Sequence, residues 1–183
     1  MLTAGTAAPD FTLADSSGRP VSLADFAGEW LVLWWYPEAN SSGCSMQAAS
    51  LDRVYDALAA DGVRIVGVSF NSPDENDGFS EDKQLRYPLL SDPDRVAGAA
   101  YEVIREPGAP FEKKPLRHTY LIDPAGVVRY AEDANLLPLG TYGEHVLEVV
   151  AAGCEVGADH HGSGQSEEGA RTVLRGRTWE GSA

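Results

Sequence analysis

The stretch "EWLVLWWYP" constrains this chain more than any other. Trp30 to Tyr36 is an unbroken run of apolar, β-branched and aromatic residues closed by Pro37. It has no polar side to offer water, so it reads as a central strand buried on both faces. "VRIVGVSF", from Val63, is a second strand of the same kind. Between them the pattern turns helical from Ser45 to Ala60, where Met46, Ala49, Val54, Ala57 and Leu58 trace one face and Gly62 is a stop signal. Buried strands joined by helices imply a parallel core.

The remaining segments extend that core. "APDFTLADSSGRPVSLADF" predicts a hairpin, with strands near Phe11–Leu13 and Val21–Leu23 and a turn at Asp15-Ser16-Ser17-Gly18. "SPDENDGFSEDKQLR" predicts a short charged helix, "YPLLSD" a brief extended segment, and "PDRVAGAAYEV" a helix with Pro93 near its start. "HTYLIDPAGVVRYAE" is a second hairpin around Asp123-Pro124-Ala125-Gly126, and "GTYGEHVLEVVAA" a last helix. The order gives an α/β fold of thioredoxin-like type: a central mixed β-sheet flanked by helices, with an N-terminal β-hairpin. Residues 1–153 are expected to form one domain. Residues 154–183, rich in Gly, Ser and charge, read as a flexible C-terminal tail.

Charge and cysteine usage narrow the function. Acidic residues number 28 against 14 basic ones, a formal net charge of −14. Phosphate backbones and anionic membranes both need clustered Lys and Arg, so neither nucleic acid nor a membrane surface is an expected partner. "MLTAGTAAPDFTL" shows neither a basic region nor an apolar core of a signal peptide. The two cysteines, Cys44 and Cys154, make neither a disulfide framework nor zinc-finger or CxxC spacing. A reducing cytoplasm is the expected location, where any disulfide would be catalytic.

Cys44 follows a strand and stands at the first turn of the next helix. Free backbone N–H groups and the positive end of the helix dipole favour a thiolate there. Ser41, Ser42 and Ser45 offer hydroxyls, Gly43 lets the backbone come close, and Pro37 can shield one side from water. The plain alternative is a small buried residue, since free cysteine is among the most buried types.

Pro37-x-x-x-Ser41-x-x-Cys44 resembles the active-site motif of the peroxiredoxins, Pro-x-x-x-Thr/Ser-x-x-Cys. "APDFTL", "VSLADF", "YPLLSDPD" and "RHTYLID" occur in the order seen in the peroxiredoxin Q, or bacterioferritin comigratory protein, branch, and Gln47 suits it too. The resemblance implies a peroxidatic Cys44, a Ser41 hydroxyl that hydrogen-bonds the peroxide, a Pro37 that limits solvent, and Arg117 as the arginine before a late strand. It implies a thiol-dependent peroxidase that reduces hydrogen peroxide or organic hydroperoxides through a cysteine sulfenic acid. No metal, haem or flavin is needed. The reductant is an external thiol: thioredoxin, glutaredoxin or a low-molecular-weight thiol. A monomer or homodimer is expected. Attack pushes negative charge onto the leaving oxygen, which an arginine fork and backbone donors can stabilise, and the same guanidinium favours the thiolate.

The chain departs from the branch where many members carry a resolving cysteine, five residues on; here that residue is Ala49. The sulfenic acid must then be reduced by an external thiol or by Cys154. Trp34 and Trp35 are expected to pack on opposite faces of their strand, and one could instead wall a pocket for organic hydroperoxides. His118, next to Arg117, should point away from the site by strand alternation. His160-His161, with Asp159 and Cys154, make a poor metal site. Asp74, Glu75 and Asp77 read as a solvated helix start, and Gly126 as turn chemistry. The alternatives are a thiol-disulfide oxidoreductase, disfavoured without Cys-x-x-Cys, and a non-enzymatic thioredoxin-fold sensor or binding protein.

Overall fold

The structure, a computed structural model, describes residues 1–158, with side chains through residue 153. Of Cys154 only the backbone is described; Asp159, His160, His161 and the rest of the expected tail lie outside the described residues. Seven strands are β1 (Thr12–Asp15), β2 (Pro20–Ser22), β3 (Trp30–Trp35), β4 (Val63–Ser69), β5 (Leu89–Ser91), β6 (His118–Ile122) and β7 (Val128–Asp133). Five helices are α1 (Ser42–Arg53), α2 (Tyr55–Ala60), α3 (Pro73–Lys83), α4 (Val96–Ala100) and α5 (Tyr142–Ala158).

The strands form one sheet in the order β2-β1-β5-β4-β3-β6-β7. β3, β4 and β5 are parallel, as their helical crossovers require, with Val32 opposite Ile65. β6 returns antiparallel beside β3, Trp34 facing Thr119, and β7 closes that edge. The hairpin β1–β2 lies antiparallel against β5 at the other edge. Along β3 the side chains alternate between two cores. Val32, Trp34 and Tyr36 join Cys44, Leu51, Leu58, Phe79 and Val146 on one face. Leu31, Leu33 and Trp35 join Phe11, Tyr101 and Tyr120 on the other. The two tryptophans therefore pack on opposite faces, both fully buried. Gly67 makes room for Trp34: a Cβ there would lie 2.9 Å from the indole Nε1 and 2.5 Å from Leu89.

Two helices differ from the expected pattern. α1 begins at Ser42 and breaks at Val54. At the break Arg86 donates to both the carboxylate and the carbonyl oxygen of Asp52. The expected face, drawn through an unbroken helix, is also displaced: Met46 is exposed, and the buried residues of α1 are Cys44, Gln47, Ala48, Ser50 and Leu51. α4 has only five residues and starts at Val96, because the Asp92 carboxylate accepts from Val96 N and Gly98 N. α3 starts as expected: Ser72 and Glu75 make a reciprocal capping box with Pro73 in the first turn.

Candidate active site

The end of β3 and the start of α1 are joined by six residues, 36 to 41. The loop is held by side chains from elsewhere. Ala39 N donates to Asn71 Oδ1, just beyond β4, at 3.0 Å. The Glu38 carboxylate pairs with Lys114. Asn40 adopts a left-handed conformation (φ 58°), a strain that asparagine bears better than most residues. Ser41 is the N-cap residue of α1, which puts Cys44 in the first turn. The Ser41 hydroxyl donates to the Glu38 carbonyl at 3.0 Å instead of capping the helix. The first-turn N–H groups thus keep their positive end uncapped by that side chain.

Cys44 is fully buried, and Arg117 reaches it from the start of β6. Arg117 Nη2 donates to Cys44 Sγ at 3.4 Å. Nη1 donates to Gln47 Oε1 at 2.7 Å, and Nε to Asn135 Oδ1 at 3.1 Å. Cys44 and Gln47 are three residues apart, so both face the same guanidinium. Gly43 lies beside this contact, and a Cβ there would sit 3.4 Å from Arg117 Nη2, at about van der Waals distance. Tyr36 lies on the same core face; its hydroxyl donates to Asn76 Oδ1 at 2.7 Å, and burial pushes its phenol up.

The positions singled out in the sequence separate clearly. Arg117 contacts both Cys44 and Gln47, while Ser41 and Pro37 are half-buried in the loop leading to α1. Trp34 stacks on Tyr36, centroids 4.8 Å apart, as a core residue. His118 turns to the opposite face against Tyr120, and burial pushes its imidazole down. Ala49 is half-buried on α1, so that helix carries no second thiol at the resolving position. Asp74, Glu75 and Asp77 open α3, and Gly126 ends the β6–β7 turn. Among the described residues no cluster of three His, Cys, Asp or Glu could hold a metal, and no helix is long and apolar enough to cross a membrane.

Sequence reasoning missed Asn135, Asn71 and the Glu38–Lys114 pair. All act across long separations from loops that carry no periodicity, so no local signal could have found them.

Comparison with known proteins adds a family. Residues 4–131 match the model of the AhpC/TSA family. A putative peroxiredoxin of Mycobacterium tuberculosis is 42% identical over 101 residues, covering 55% of this chain and 64% of that protein. Peroxiredoxin Bcp of Escherichia coli is 40% identical over 93 residues, covering 51% and 60%. The match thus spans about three-fifths of each relative's length. The crystal structure of a mutant PrxQ from Xylella fastidiosa aligns with a TM-score of 0.77 at 25% identity, over 84% of this chain and 98% of that one.

Proposed function

Because this chain belongs to the AhpC/TSA family, we propose that it is a thiol-dependent peroxidase with Cys44 as its nucleophile. The observation that carries the reading is the buried sulfur in the first turn of α1, held 3.4 Å from an arginine that is itself fixed by two carboxamides. Both features favour a thiolate and provide donors where negative charge develops.

In the proposed reaction the Cys44 thiolate attacks one oxygen of a hydroperoxide. An S–O bond forms as the O–O bond breaks, and the electron pair leaves on the other oxygen, which takes a proton to become water or an alcohol. Cys44 is oxidised to a sulfenic acid and the peroxide is reduced by two electrons. Arg117 stabilises the departing charge while keeping its contact with sulfur. The Ser41 hydroxyl has committed its proton to Glu38, so its free lone pairs suit it to accept from the peroxide O–H. Pro37, at the head of the loop, limits water near the thiolate.

With Ala49 at the resolving position, recycling falls to an external thiol or to Cys154. The thiol attacks the sulfenic sulfur, releases water and forms a disulfide, and a second thiol restores Cys44. A reducing cytoplasm supplies such thiols. The test is peroxide consumption with dithiothreitol or thioredoxin as reductant, for the wild-type chain and Cys44→Ser. The reading expects turnover with hydrogen peroxide or an organic hydroperoxide that vanishes in Cys44→Ser. Turnover that survives the substitution, or none in the wild type with any of these reductants, overturns it.

A further inference from the structure

We propose that Asn135, outside the recognised motif, is a positioning residue for Arg117, and that it holds the guanidinium in place without neutralising it. Asn135 lies in a short 3₁₀ turn, Ala134–Leu136, after β7. Its amide orientation is settled by Asp133: Asn135 Nδ2 donates to Asp133 Oδ1 at 2.9 Å, and Asn135 N to the same oxygen at 3.0 Å. The carboxamide oxygen is thereby turned toward Arg117 Nε, 3.1 Å away. The same turn holds the arginine backbone, since Ala134 N donates to Arg117 O at 2.9 Å. Arg117 is thus held at its backbone by Ala134 and at its side chain by Asn135, two consecutive residues.

The chemical type of the acceptors matters as much as their place. Gln47 takes Nη1 and Asn135 takes Nε, and both are neutral amides. Nη2 is left to the sulfur. A carboxylate at either position would fix the fork equally well but would offset its charge beside Cys44. Asp133, the one carboxylate in this chain of contacts, stands one step back behind Asn135. The arrangement gives the geometry of an ion pair while leaving the positive charge for the thiolate and the leaving oxygen.

The inference rests on the peroxidase reading for its purpose, and its test is readable without it. Arg117 touches the Cys44 sulfur, and Tyr36 shares its core face. Burial keeps the Tyr36 phenol protonated and bonded to Asn76 over the working range. Alkylation by iodoacetamide, followed on the Cys44 peptide by mass spectrometry across pH, therefore reports the field at the sulfur whether or not peroxide is turned over.

Asn135→Asp keeps an acceptor for Nε and adds a negative charge beside the guanidinium that touches the sulfur, which moves the alkylation midpoint to higher pH than in the wild type. Asn135→Ala removes the grip and slows oxidation by hydrogen peroxide on the order of tenfold, by letting a positioned donor wander. Since Asn135 is exposed, melting temperatures should move little in either variant. Alkylation midpoints and peroxide rates that match the wild type in both variants would overturn the proposal. So would a peroxide rate that falls only in step with lost stability. If the wild-type chain alkylates at Cys44 but consumes no peroxide, the peroxidase reading fails, and the alkylation comparison still decides the role of Asn135.

Discussion

Truncating Arg117 to alanine removes three contacts at once, and each has a separable consequence. The first is kinetic. A unit charge 3.4 Å from the sulfur is worth about 1–5 kcal/mol as the effective dielectric runs from about 80 down to about 20. Deleting one preorganised donor to a developing oxyanion costs about 2.7–4 kcal/mol in other enzymes, inside that range. Oxidation of Cys44 in Arg117→Ala should therefore slow on the order of 10²–10³-fold. The second consequence is structural. Gln47 is fully buried, its Nε2 has no hydrogen-bond partner, and the substitution takes away the partner of its Oε1 as well. An unsatisfied buried acceptor costs about 1–3 kcal/mol, or about 2–12 °C in Tm for a chain of this size. Asn135 is exposed and can turn to water, so it adds little. Arg117→Lys keeps the charge, but one ammonium cannot span Gln47, Asn135 and Cys44, so it should recover only part of the rate. The assay is stopped-flow oxidation by hydrogen peroxide, paired with a thermal melt. Arg117→Ala oxidising within about threefold of the wild-type rate would refute the electrostatic reasoning, because even the weakest coupling above amounts to roughly sevenfold.

Two further substitutions probe the fold. Gly67→Ala drives a methyl into Trp34 and Leu89 and should destabilise by about 1–3 kcal/mol, whereas Gly78→Ala, within α3 and with no neighbour inside 4 Å, should stabilise by about 0.5–1 kcal/mol; equal denaturant midpoints for the two would contradict the packing account. Burial pushes the His118 imidazole down, so the unfolded chain protonates at higher pH than the folded one. Above about pH 6.5 the group has no effect, and stability drains away as pH falls from there toward the lower folded value. His118→Gln should therefore narrow the Tm difference between about pH 7 and about pH 5, and an unchanged acid slope would rule that assignment out.

The parts of the fold that could be read from the sequence are those that bury unbroken apolar runs. β3 and β4 announce themselves because no amphipathic alternative accommodates "LVLWW" or "VRIVGV". The late hairpin is visible through Asp123, whose carboxylate accepts from Ala125 N and Val127 N at 2.9 Å and so writes its turn into the local sequence. α1 was harder. Its first residues, Ser42, Gly43 and Cys44, carry no apolar period, and at its break the Asp52 carbonyl is bonded by Arg86, more than thirty residues away. Gln47 shows why the expected face drifted: a polar residue is buried there, accepting from Arg117 just before β6. The site divides in the same way. Cys44 and Ser41 share one short motif and are legible together. The pairing of Arg117 with Asn135 joins two loops through tertiary structure alone, and nothing local marks it.

The most direct test of the central claim is the intact mass of the chain after one equivalent of hydrogen peroxide, for the wild type, Cys44→Ser and Cys154→Ser. The account predicts prompt oxidation that is absent in Cys44→Ser. Its product is one added oxygen if an external thiol completes the cycle, or the loss of two hydrogens, abolished in Cys154→Ser, if the second cysteine does. A wild-type chain that keeps both thiols reduced, or one that oxidises equally in Cys44→Ser, would contradict it.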